Sequence, residues 1–229
     1  MIPRYGREVS RIEGFSDAVF GFALTLLVVA LEVPDNFDGL KQILRGFIPF
    51  AATFAVVCWI WFEHYAFFRR FEAEDGLTIF LNCVLLFLVL FFVYPLKFVF
   101  SRVIPALFGE PNGLRMTEVD ARMMMWIYST GFVAMMCVFV LLYWNQYRGR
   151  KRLGLSDEQA FVARAGARTH VLSVMVGLSS IVLALTVPIS WIWTAGVIYS
   201  AQGPLHWRNG LLIERARARA FPSSTPAHR

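Results

Sequence analysis

The residues able to do chemistry in this sequence cluster near the ends of hydrophobic runs. Ser16 and Asp17 open the first run, Glu63 and His64 close the second, and Asn82 lies one turn into the third. An ionisable group inside or at the edge of a membrane helix costs ~2.5 kcal/mol or more, so it needs a partner or water. A hydroxyl, two carboxylates, an imidazole and an amide suit mutual hydrogen bonding. They suit catalysis poorly. Glu63-His64 lacks the second histidine of a HExxH zinc-peptidase motif, and no Ser or Asp pair supplies an intramembrane protease site. Met123–Met125 and Met135-Met136 fit adaptable core packing, and Cys58, Cys83 and Cys137 fall mid-run as small core residues. Lys97 reads as snorkelling to an interface, and His170 and His206 as interfacial. The residues therefore imply no enzyme, no metal site and no cofactor.

The elements that must position these groups are membrane helices. The chain is 57% hydrophobic and 17% charged, which is more apolar surface than a soluble domain of this size can hide. The unbroken apolar runs exclude a β-barrel, whose strands are short and alternate. The class is an all-α polytopic membrane protein with six spans, at 14–33, 43–67, 77–100, 123–144, 169–187 and a short sixth at 189–205. Residues 1–207 read as one transmembrane domain and 208–229 as a basic, disordered cytoplasmic tail. The first apolar segment is too long for a cleavable signal peptide and lacks a small-residue cleavage site.

Six spans put both termini on one side. That side collects Arg4, Arg7, Arg11, Arg69, Arg70, the basic 148–168 linker and the tail arginines, so both termini are expected in the cytoplasm of a multi-pass cell-membrane protein. The net charge of +6 is thereby explained by topology, and no nucleic acid is called for. Outer loops carry Asp35, Asp38, Glu110, Glu118 and Asp120, a mild cation-attracting rim. On this topology Asp17, His64 and Asn82 sit at similar depth on three helices, and a network joining Ser16 and Asp17 to His64 or Asn82 would satisfy each.

At ~100° per residue the first helix has two dissimilar faces. Phe15, Val19, Phe22, Leu26, Val29 and Val33 form an apolar one, with Thr25 at its edge; Asp17 falls nearly opposite, with Gly21, Leu24, Val28 and Leu31. Periodicity alone is met equally by a packed or lipid-facing helix.

The spelling adds to this. Arg11-x-x-x-Phe15-Ser16-Asp17, running on into Ala-Val-Phe and Thr25-Leu26-Leu27-Val28, resembles the signature of the transmembrane protein 175 family, the lysosomal potassium channels and their prokaryotic homologues. The resemblance implies a potassium-permeable cation channel with the first helix of each subunit lining the pore. It implies a homo-oligomer, tetrameric in the prokaryotic members, whose partners are membrane lipids and monovalent cations. Phe22, Leu26 and Val29 map onto the hydrophobic constriction, with Thr25 as a nearby hydroxyl. Phe22 departs from the usual branched aliphatic. The family's anchoring foot maps onto Arg11, Phe15, Ser16 and Asp17, and further onto Trp59, His64 and Asn82. Two other classes stay open from the residues: a proton-coupled carrier with Asp17 and His64 as a relay, and a membrane structural protein with no pore. An uninterrupted first helix argues against a carrier, since carriers often break helices at the midplane.

Overall fold

In lipid no water satisfies a backbone N–H or C=O, so an apolar chain must bond its own backbone as helix. The computed structural model describes residues 9–29, 34–107 and 116–222, and no strand occurs among them. The helices are α1 (Arg11–Val29), α2 (Phe37–Arg45), α3 (Phe47–Phe71), α4 (Gly76–Leu107), α5 (Glu118–Gly149), α6 (Asp157–Thr186), α7 (Trp193–Val197) and α8 (Gln202–Ala220). Among the described residues α1, α3, α4, α5 and α6 are long and apolar enough to cross a membrane. The chain is an all-α, multi-pass membrane protein.

Helix starts follow local chemistry. Ser156 and Gln159 form a reciprocal capping box, each side chain bonding the other's backbone N–H. That cap starts α6 at Asp157, well before the expected fifth span at Thr169, and reduces the basic linker to a short turn. Thr117 caps α5 by accepting from the Asp120 N–H. The second expected span divides in two, because the chain turns at Gly46 between α2 and α3.

The core lies where α4 and α5 meet α3 and α6, around Leu85, Leu96, Met135, Met136, Leu142 and Tyr143. Glycine sets the closest approaches. A Cβ on Gly177 would stand 2.5 Å from Val133 Cγ2, one on Gly131 would stand 2.6 Å from the Phe92 ring, and one on Gly166 would strike the Tyr143 ring.

The sixth expected span, 189–205, is helical in pieces: a 3-10 turn at Ile189–Trp191, then α7, a second turn at Ile198–Ala201, and the start of α8. Its partner is α6, which it retraces in reverse. Ser180 Oγ donates to Ala195 O at 2.7 Å, Ser173 Oγ to Gln202 Oε1 at 3.0 Å, Asn209 bonds Thr169, and Arg217 Nε donates to Glu158 Oε1 at 2.6 Å. Residues 208–220, expected as a disordered tail, are therefore helix. The Arg217–Glu158 pair and the Phe161–Phe221 ring contact at 6.1 Å give this basic stretch partners that composition cannot reveal. The end of the first span at 30–33, including Leu31 and Val33, most of the loop before α5, the basic lead 1–8 and residues 223–229 lie outside the described residues.

Candidate functional site

The first helix divides its surface three ways. Ser16, Phe20, Ala23 and Leu27, spaced three and four apart, are buried against the chain's own α3 and α4. This packed stripe lies between the two faces read from the sequence and coincides with neither. Ser16 and Ala23 are small, so the backbones can close, while Phe20 and Leu27 fill the gaps.

At the foot of that stripe hydrogen bonds run in one direction. His64 Nε2–H donates to Asn82 Oδ1 at 2.8 Å. Asn82 Nδ2 donates to Ser16 Oγ at 2.9 Å, and Ser16 Oγ donates to Ile12 O at 2.7 Å. The chain ends on a backbone carbonyl, so every link in it pairs a donor with an acceptor; the other ring nitrogen, His64 Nδ1, is buried without a hydrogen-bond partner. All three side chains are buried, and the His64 ring is held between Phe20 and Phe68, with centroids 5.4 and 4.6 Å away. The expected joining of Ser16, Asn82 and His64 is thus present, and it pins α1 to α3 through α4.

The other residues assigned to this foot stand elsewhere. Asp17 is exposed and accepts from Trp61 Nε1–H at 2.8 Å. Trp59 turns away, stacking on Phe132 at 6.5 Å and meeting His206 edge-on at 5.6 Å. Phe15 is 57% exposed and Arg11 is exposed at the helix start, so neither enters the buried chain of bonds. Trp61 was legible in principle. It lies three residues before His64 and so shares its side of the helix, whereas Trp59, five before, points away.

A second face of α1 is open. Phe15, Phe22 and Val29 are 57%, 58% and 77% exposed, Thr25 is exposed, and Val19 and Leu26 are half-buried at the edge. The Thr25 hydroxyl donates to Phe22 O at 2.7 Å, so its proton is engaged by the helix itself. The face is an apolar stripe with one hydroxyl oxygen beside it. It offers no carboxylate, imidazole or thiol, so it suits apolar contact and not bond-making chemistry.

Two further polar ties were not anticipated. Asp75 precedes α4, accepts from the Thr78 hydroxyl at 2.6 Å, and accepts from Asn145 Nδ2 of α5 at 3.1 Å; Gln146 also reaches Thr78. Partial burial pushes the Asp75 carboxyl up, but the bonds from Thr78 and Asn145 and the charge of Arg152 together hold it below its ordinary value. At the other end of the bundle Arg122 donates to Ala184 O at 2.6 Å and Val187 O at 2.9 Å, satisfying carbonyls left free at the end of α6.

The family model described as endosomal/lysosomal potassium channel TMEM175 matches residues 11–92, the stretch that holds α1, α3 and the foot. A protein named "Potassium channel" from Marivirga tractuosa is 35% identical over 192 residues, covering 80% of this chain and 77% of that one. Potassium channel B446_29190 from Streptomyces collinus is 30% identical, over 62% of this chain and 66% of its own length. The crystal structure of a variant of the potassium channel MtTMEM175, in complex with a nanobody–MBP fusion, superposes with a TM-score of 0.78 at 30% identity, covering 94% of this chain and 99% of that one. A lysosomal potassium-selective channel TMEM175 homolog from Chamaesiphon minutus shares the fold, with a TM-score of 0.61 at 23% identity over 87% and 96% of the two chains. With the foot, the open apolar stripe and a relative matched along most of both lengths, the chain belongs to the TMEM175 family.

Proposed function

We propose that this chain is one subunit of a potassium-permeable cation channel in which copies of α1 surround the ion path. The observation that carries the reading is the divided surface of α1. One stripe is spent inside the subunit, while Phe15, Phe22 and Val29 stay uncovered along the whole described helix. An open apolar stripe on a rigidly anchored helix suits contact with the same helix of other copies around a closed axis. The relatives' names as potassium channels point the same way.

In this reading rings of Phe22, Leu26 and Val29 form the constriction, with Thr25 beside it. A hydrophobic ring blocks ions by dewetting and opens with a small increase in radius. Phe22 contributes a ring face that can attract a passing cation. Four copies would close the ring, as the family resemblance implies. Both termini are cytoplasmic in the cell membrane. The support is the arginines at the end of α3 and after α5, and the return of 189–220 along α6 to that same end. Conduction needs no cofactor here.

A proton relay through Asp17 and His64 has less support, because Asp17 bonds Trp61 while His64 bonds Asn82. The test is purified protein in planar bilayers under asymmetric potassium and sodium. Unitary currents reversing toward the potassium equilibrium potential are expected. Saturating transport without unitary currents would indicate a carrier, and absence of flux a structural protein; either overturns the reading.

A further inference from the structure

Glu63, His170 and His206 come from α3, α6 and α8 and meet at one place. Glu63 Oε2 lies 3.6 Å from His170 Nε2, and Oε1 lies 3.7 Å from His206 Nδ1. The far nitrogen of each ring is already engaged. A carbonyl oxygen only accepts, so His170 Nδ1–H donates to Gly166 O at 2.9 Å. His206 Nε2 lies 2.8 Å from Ser173 Oγ, which is also bonded to the Gln202 side chain at 3.0 Å. Neutral His170 thus turns its lone pair toward the carboxylate, and its Nε2 is buried with no hydrogen-bond partner, while His206 Nδ1 stands at a similar distance from the other carboxylate oxygen. Lone pairs facing a carboxylate do not attract it. With a proton added, the same geometry becomes a charge-assisted contact.

The neighbours favour a sheltered site. Phe139 and Tyr143 of α5 stack on His170 with centroids 4.9 and 5.2 Å away, and Trp59 of α3 meets His206 edge-on. The other charged or titratable groups facing it are Arg70 of α3, near both Glu63 and the Tyr143 hydroxyl, and that hydroxyl itself from α5. The Glu158–Arg217 pair holds α8 to α6 farther along.

We infer that Glu63, His170 and His206 form a proton-binding site that, when occupied, ties α8 to α3 and α6. The step is the transfer of a proton from hydronium to an imidazole lone pair: one O–H bond of hydronium breaks, an N–H bond forms, water is released and the carboxylate stays ionised. A proton on His206 acts on α8 directly, because that residue is part of it. Occupancy of the site by a proton rises as pH falls, so α8 is held more firmly in mildly acidic than in mildly alkaline solution.

The test uses the full chain, with Cys58, Cys83 and Cys137 replaced by serine and a nitroxide attached at Leu212→Cys, an exposed position on α8. Label mobility is expected to fall between about pH 8 and about pH 5.5. Glu63→Gln keeps the shape and removes the charge, and the pH response is expected to vanish. His206→Gln should abolish it too and serves independently if the first variant folds poorly. Equal mobility at both pH values in the parent, or a response that persists in either folded variant, overturns the proposal. The readout needs no ion flux, so it stands apart from the pore reading.

Discussion

At the scale of residues, the buried foot behaves as a unit. Asn82→Ala leaves His64 Nε2–H without its described partner in a buried site and Ser16 Oγ with only its bond to Ile12 O, and a buried unsatisfied group costs about 1–3 kcal/mol. Thermal unfolding of the purified protein should register that loss. Trp61→Phe removes one bond to an exposed carboxylate, so a loss nearer 1 kcal/mol is expected from the same measurement. Asp75 supplies a pH prediction. Its folded-state pKa lies below the ordinary value, so its contribution is complete above that value and is lost as pH falls through the lower folded one. Melting temperature should therefore drop more steeply below about pH 4 in the parent than in Asp75→Asn. Ser16, His64 and Asn82 were legible because span depth fixes their height. Their pairing needed the azimuth of each helix, which hydrophobic runs do not encode. For that reason Asp17 met Trp61, Trp59 went to Phe132, and Phe15 stayed outside.

At the scale of elements, small residues decide how closely the helices approach. Gly177→Ala would drive a methyl into Val133, and overpacking of this kind costs about 1–3 kcal/mol. Gly21→Ala on α1 meets nothing within 4 Å in the subunit and should leave its melting temperature unchanged or slightly higher. Comparing the two variants by thermal shift separates helix–helix contact from helix propensity. The long apolar helices were legible from composition and length alone. The α6 boundary is half legible: Ser156 followed by Asp157 and Glu158 is a capping pattern, yet the basic residues around it read as a linker. The path of 189–220 was not legible. Pro188 stands just past the end of α6, but the ties to Ser180, Ser173, Thr169 and Glu158 join residues far apart in the sequence.

At the scale of the whole molecule, the reading rests on what one subunit leaves undone. It anchors α1 by a buried stripe and a polar foot, then leaves Phe22 and Val29 open, a surface that copies around an axis could share. The motif at the base of α1 points to the family by itself, because Ser16 and Asp17 follow Phe15 where the first span begins. The residues alone leave a carrier and a poreless scaffold open, with the uninterrupted first helix counting against the carrier. The most direct measurement is cation flux from liposomes holding equal amounts of parent and Leu26→Asn protein. A polar amide at the proposed constriction should wet it, and the variant is expected to leak potassium faster than the parent. An unchanged flux from a variant that elutes and melts like the parent would contradict the account.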